Sequence, residues 1–188
     1  RLVYQEKNNT WVEFFEDIHI LKNNKGFILR SELDGWRHLY YYDMNGKLKK
    51  QLTKGEWNVS DIKLVDEENE RLYFEANKGE RLETHLFVVD FDGDDIEQIT
   101  NIPGTHKVSV STNGKYFYDT YSNINTPGKL DLYHGDGELI KNLGDRKSKI
   151  FDEYKLGTTE MFSINTEDGF DLPAMWVLPS DFDENKKY

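Results

Sequence analysis

The chain of 188 residues carries a net charge of -11, with 37% hydrophobic and 14% aromatic residues and no cysteine. That apolar content supports a folded core of one or two domains, and the acidity excludes a nucleic-acid backbone as partner, since nonspecific affinity for phosphates needs clustered Lys and Arg. The lack of cysteine rules out disulfides and thiolate zinc sites, and no apolar run approaches the roughly 18 residues of a membrane-spanning helix.

In chain order, the first strong pattern lies at 27–53, FILRSELDGWRHLYYYDMNGKLKKQLT. Its opening strand, 27–32, returns as 72–77 (LYFEAN) and as 116–121 (YFYDTY), at offsets of 45 and then 44 residues. The run HLYYYD at 38–43 returns as HLFVVD at 85–90 and, loosely, as KLDLYH at 129–134. Gln51-Leu52-Thr53 returns as Gln98-Ile99-Thr100, with Asn142-Leu143-Gly144 as a weak third copy. Repetition at about 40 to 50 residues with four short strands per unit is the signature of a β-propeller, each repeat forming one blade.

The second copy is the clearest. Residues 61–65 (DIKLV) form a short apolar strand, 71–76 alternate more, and 86–89 (LFVV) are apolar throughout but too short for a helix. Such a run suits a middle strand buried on both faces between stacked blades, whereas Ile96 and Ile99 in a polar setting suit a half-exposed outer strand. Asn45-Gly46, Asp92-Gly93, Asn113-Gly114 and Asp136-Gly137 each separate two strand candidates and tolerate the positive φ of tight hairpins.

The repeats end near Gly144. Residues 149–156 read as a short helix or a linker, and 160–165 and 170–178 as two strands around a turn at Asp168-Gly169, the second an edge or bulged strand because of Pro173. The fold expected is all-β: a partial β-propeller of about three four-stranded blades over 1–146 (about 17–55, 59–101 and 105–144). Residues 147–188 then supply a linker and a β-hairpin.

The succession SELDGWRHLYYYD, QLTKGEW and TEDGFDLPAMWVLPSDFDENKKY resembles the dipeptidyl peptidase IV branch of the prolyl oligopeptidase family of serine peptidases. The resemblance runs from about Trp11 to Tyr188. It implies the last three blades or so of an eight-bladed propeller, residues 1–5 as an outer strand of the preceding blade, and a hairpin leading into an α/β-hydrolase domain that this chain does not contain. The implied function is the noncatalytic propeller of an exopeptidase that releases N-terminal Xaa-Pro or Xaa-Ala dipeptides, the propeller gating access and helping to hold the substrate's amino terminus. Implied partners are peptide substrates, the hydrolase domain and the remaining blades, and the implied location is exported or periplasmic in a bacterial parent.

No catalytic residue is expected here. The sequence contains no G-x-S-x-G elbow, no P-loop, no dinucleotide fingerprint and no H-E-x-x-H, and nothing calls for a cofactor or a metal. Asp90, Asp92, Asp94, Asp95 and Glu97 imitate a calcium loop, but Gly93 falls at the fourth position where that loop needs glycine at the sixth, so a hairpin with exposed carboxylates is the reading. His38 and His85 occupy equivalent positions at the head of the third strand and read as structural; His19, His106 and His134 carry no pattern. Arg37, beside Trp36, reads as a structural clasp, and Glu67-Glu68 as a turn within its blade. Trp11, Phe14 and Phe15 fall where an inter-blade loop is expected and read first as core packing. The resemblance makes Phe15, with Phe14 as alternative, the candidate wall of the substrate site.

A stand-alone propeller that binds proteins or glycans is the alternative. The Trp-Asp and Gly-Gly signatures of WD40 and kelch propellers are missing, and a lone propeller has no use for the segment after 170. Bare blade faces and apolar strands predict self-association into a homo-oligomer.

Overall fold

A computed structural model describes residues 2–12 and 18–187. Three four-stranded antiparallel sheets follow one another in strict sequence order: β1 (Ile18–Ile20), β2 (Phe27–Ser31), β3 (His38–Tyr42) and β4 (Leu48–Gln51); β5 (Val59–Asp66), β6 (Arg71–Ala76), β7 (His85–Asp90) and β8 (Ile96–Gln98); β9 (Thr105–Val110), β10 (Tyr116–Asn123), β11 (Thr126–His134) and β12 (Leu139–Asp145). A short 3-10 turn at Lys149–Glu153 leads to a two-stranded ribbon, β13 (Thr158–Asn165) and β14 (Asp171–Leu178). The architecture is a partial β-propeller followed by a hairpin.

The sheets stack through alternate side chains of the same strands. Leu72, Phe74 and Ala76 of β6, with Phe87 and Val89 of β7, meet Ile28 and Leu39 of the first sheet. Tyr73, Leu86 and Val88 turn the other way, onto Val108, Phe117 and Tyr133 of the third. This explains a middle strand apolar at every position: each face has its own core, as the period of two dictates. Phe74 is fully buried and stacks between Trp57 and Phe87, with centroids 6.3 and 5.7 Å away.

The register of the third sheet corrects the repeat alignment. His38 pairs with Ser31, His85 with Ala76 and Lys129 with Tyr121. The third counterpart of 27–31 is therefore 117–121, one residue later than the sequence match suggested. A slip of one exchanges the two faces of a strand: Phe117 and Asp119 face the second sheet, and Tyr118 faces away, 51% exposed. Ile99 also departs from expectation. It is 6% exposed, packed with Leu86, Val88 and Phe117 in the core between the second and third sheets.

Residues 2–5 pair with no strand among the described residues. Val3 and Tyr4 instead cover the free face of the first sheet, packing on Phe27, Leu29, Tyr40 and Tyr42. Tyr4 meets the Tyr42 ring edge-on at 4.9 Å. Trp11 is 72% exposed, not core.

Hairpin glycines act as expected, but through one device. Gly46, Gly93, Gly114, Gly137 and Gly169 all have φ between 67° and 91°, and each donates its amide to the carbonyl three residues earlier. These are three-residue type I turns closed by a left-handed residue. Asp43 completes the first by accepting from the Asn45 and Lys47 amides at 2.8 and 2.9 Å, which holds its carboxyl below the usual range.

Candidate functional cleft and the histidines beneath it

A cleft of about 1220 Å³ opens where the ribbon meets the loops of the second and third sheets, lined by Arg81, Glu83, Gly104, Asn123, Met161 and Phe170 among others. The wall from the second sheet is the β6–β7 loop, whose Arg81 guanidinium lies 6.0 Å from the Phe170 ring centroid, a cation–π contact that ties ribbon to propeller. The third sheet supplies 103–105 and the β10–β11 turn. Asn123 Nδ2 donates to the Pro103 carbonyl at 2.9 Å, and a Cβ on Gly104 would lie 2.6 Å from the Ser122 carbonyl oxygen at φ +147°, so only glycine fits this approach. Thr84 joins the two walls: its amide donates to Gly104 O at 3.2 Å and its carbonyl accepts from the His106 amide at 2.9 Å.

The ribbon turns one face, with Met161, Ser163 and Pro173, into the cleft. Its other face presents Phe162, Ile164, Leu172 and Trp176, each 37–48% exposed. Phe162 and Trp176 lie 4.7 Å apart.

Under this rim lies a repeated device. Thr53 Oγ1 accepts from the Leu39 amide and meets His38 Nδ1, at 2.9 and 3.0 Å; Thr100 Oγ1 does the same for the Leu86 amide and His85 Nδ1, at 2.9 and 3.2 Å. This is what the recurrent Gln-Leu-Thr and His-Leu motifs encode. Each threonine stands in for a missing ladder carbonyl and fixes the ring beside it, so His38 and His85 are structural, as expected. The third sheet has Lys129 and Gly144 at these places and uses another solution. His106 on β9 bonds Asp119 of β10 at 2.6 Å and the Ile102 carbonyl at 2.7 Å, both side chains all but fully buried. Burial alone would push the His106 imidazolium down, but the Asp119 hydrogen bond, the Ile102 carbonyl and the Asp119 and Glu83 charges push it above its usual value.

Sequence reasoning missed this pair. The available signal was the joint loss of the third-strand histidine and the fourth-strand threonine in the repeat whose first strand carries His106. Two further polar links cross between sheets: Arg30 reaches the Ser60 carbonyl, and Glu75 accepts from the Val108 amide at 2.5 Å while pairing with Lys63 at 3.1 Å. Lys63 also pairs with Asp61 at 2.6 Å; burial opposes its charge, but these carboxylates hold its ammonium above the usual value.

The remaining candidates fall into place. Phe15 and its alternative Phe14 lie outside the described residues. Arg37 clasps Glu32 at 2.8 Å, and its amide and carbonyl bond Asn58 and Val59 of the following segment. Glu67, in the β5–β6 turn, accepts from the Lys22 amide at 2.9 Å. Asp92 caps its own turn and Asp94 pairs with Lys50 at 3.3 Å. Among the described residues no group of three or more His, Asp or Glu is placed to hold a metal, and no helix is long and apolar enough to cross a membrane. Ser122 and Ser163 line the cleft, which offers hydrogen-bonding and apolar walls.

Sheets of this order and connection, followed by a ribbon at the loop face, define a partial β-propeller. Residues 1–128 match the dipeptidyl peptidase IV N-terminal region, and the chain belongs to that family. It is 28% identical over 197 residues to dipeptidyl peptidase 4 of Arthroderma otae and, equally, of Trichophyton rubrum, covering 99% of this chain and 25% of each relative. The chain thus spans about a quarter of the length of these relatives. Among solved structures, dipeptidyl peptidase 4 of Porphyromonas gingivalis superimposes with a TM-score of 0.79 at 25% identity, covering 91% of this chain and 24% of the other. A putative dipeptidyl aminopeptidase IV from Bacteroides ovatus gives 0.78 at 27% identity, covering 91% and 27%.

Proposed function

We propose that this chain is the noncatalytic propeller portion of a dipeptidyl peptidase IV-like serine exopeptidase that releases Xaa-Pro or Xaa-Ala dipeptides from peptide amino termini. The observation that carries the reading is the ribbon folded onto the propeller rim, with Phe162, Ile164, Leu172 and Trp176 left open on its far face. A lone binding propeller has no use for that element, whereas a peptidase needs it as the bridge into a hydrolase domain. In the whole protein the cleft wall of Arg81, Glu83 and Asn123 borders the passage by which peptides reach the nucleophile, and acyl transfer proceeds on a Ser-His-Asp triad outside these residues. The other blades and the hydrolase domain are its partners, Phe15 or its alternative Phe14 borders the substrate, and the parent is exported or periplasmic.

The test is chromophore release from a Gly-Pro dipeptide reporter by this chain and by a form extended past Tyr188 through a hydrolase domain. Turnover by the extended form alone, lost when its elbow serine is replaced, is the expected result. Inactivity of both forms would transfer the weight to a protein- or glycan-binding propeller.

A further inference from the structure

The protonation of the three buried histidines can be read from what their nitrogens face. A backbone carbonyl only accepts, so His38 Nε2, 2.9 Å from Gly55 O, carries hydrogen, and the Thr53 hydroxyl donates to Nδ1; one ring proton suffices. His85 is the same, its Nε2 donating to Glu83 Oε2 at 2.9 Å and its Nδ1 receiving from Thr100. His106 differs. Its Nε2 faces the Ile102 carbonyl and its Nδ1 the Asp119 carboxylate, acceptors on both sides, so the pair is satisfied only while it holds two protons, as imidazolium and carboxylate.

We infer that the His106–Asp119 pair is a proton-held latch on the seam between the second and third sheets: loop 101–105, one wall of the cleft, is closed while the pair keeps its second proton and is released when that proton leaves. On deprotonation the charge-assisted Nδ1–Asp119 bond retains its hydrogen, because the carboxylate is the stronger acceptor. Nε2 then turns a lone pair on the Ile102 carbonyl. Two acceptors 2.7 Å apart repel, and Ile102, 41% exposed, has water to turn to. Loss of that anchor loosens the adjoining bonds Thr84 N to Gly104 O and His106 N to Thr84 O.

The groups that face His106 fix the direction. From β10 these are Asp119 and Tyr121, whose ring stacks at 5.3 Å; from β7, His85, at 4.9 Å; and from the preceding loop, Glu83. Loop 101–104 brings no titratable group. Behind Asp119 lie Asp131 and Tyr133 of β11; burial, then the Asp131 and Asp119 charges, push the Tyr133 phenol up to about 12, so it stays neutral while the latch titrates. Among the described residues Asp119 Oδ1 is buried without a partner, and His106 is the cation that its carboxylate pairs with.

The test uses the 188-residue chain. Ring-nitrogen NMR, assigned through the His106 backbone, is expected to show both His106 nitrogens protonated at about pH 7 and a single Nε2–H tautomer at His38 and His85. Amide exchange at Thr84 and His106, normalised to the chemical rate, should lose protection about tenfold as that proton titrates at higher pH, the loss expected for one charged hydrogen bond, while β2 and β3 stay level. Asp119→Asn removes the second proton and should abolish the pH dependence. A His106 with one protonated nitrogen at neutral pH overturns the inference, as does an unchanged pH dependence in the Asn variant; the ring measurement decides alone should that variant not fold.

Discussion

Replacing Thr100 by valine tests the repeated clasp at the least cost in shape. The side chain is 5% exposed, and its hydroxyl accepts from the Leu86 amide and engages His85 Nδ1. Valine preserves the volume and removes both bonds. Each is worth about 1 kcal/mol net, and a stranded buried N–H adds about 1 to 3 kcal/mol, so Thr100→Val should cost about 3–5 kcal/mol. Thr100→Ser keeps both bonds and loses a methyl, about 1 kcal/mol. With a urea slope near 2 kcal/mol per molar, valine lowers the unfolding midpoint by about 1.5 to 2.5 M and serine by about 0.5 M. Thr53→Val should match Thr100→Val, since Thr53 bonds Leu39 and His38 the same way. Equal midpoints for the valine and serine forms would refute the clasp and reduce the motif to packing.

Glu75→Ala strands the Lys63 ammonium, 11% exposed, with Asp61 alone, and leaves the Val108 amide without its acceptor; the expected loss is about 3–5 kcal/mol, and a denaturation midpoint near wild type would count against the link. Because His106 is raised above its unfolded value, its contribution to stability is complete below the unfolded pKa of about 6.5 and is lost as pH rises through the folded value; denaturant midpoints should fall from neutral to alkaline pH, less so in His106→Gln. The third sheet leaves Tyr118 51% and Leu130 37% exposed on its free face, so sedimentation should show a dimer or larger species that Leu130→Lys shifts to monomer; a monomer at every concentration sinks this reading.

The propeller was legible because its repeats carry chemistry as well as hydrophobicity. Gln-Leu-Thr and Gln-Ile-Thr recur because a buried threonine must cap a ladder beside a buried histidine, and the turn glycines because their φ is left-handed. The register of 117–121 was not legible. A strand between two cores is apolar on both faces, so alternation sets no phase, and YFYDTY matches LYFEAN about as well in either register. Only the pairing of Lys129 with Tyr121 resolves it. The place of residues 2–5 was hidden for another reason: a strand exists only beside a partner, and alternation says nothing about who that partner is.

The third repeat departs from the others just where the cleft forms, and the departure has a physical logic. The first two sheets are each capped by a His–Thr pair in which the threonine hydroxyl bridges a ladder amide and the histidine ring. The third has exchanged that cap for a buried charged pair, which leaves Asp119 Oδ1 unsatisfied and is a costlier solution to the same problem. What the charged pair adds is dependence on a proton at the joint where loop 101–105, the β6–β7 loop and the ribbon meet, and the most regular element of the sequence therefore gives way at the one seam that borders the cleft.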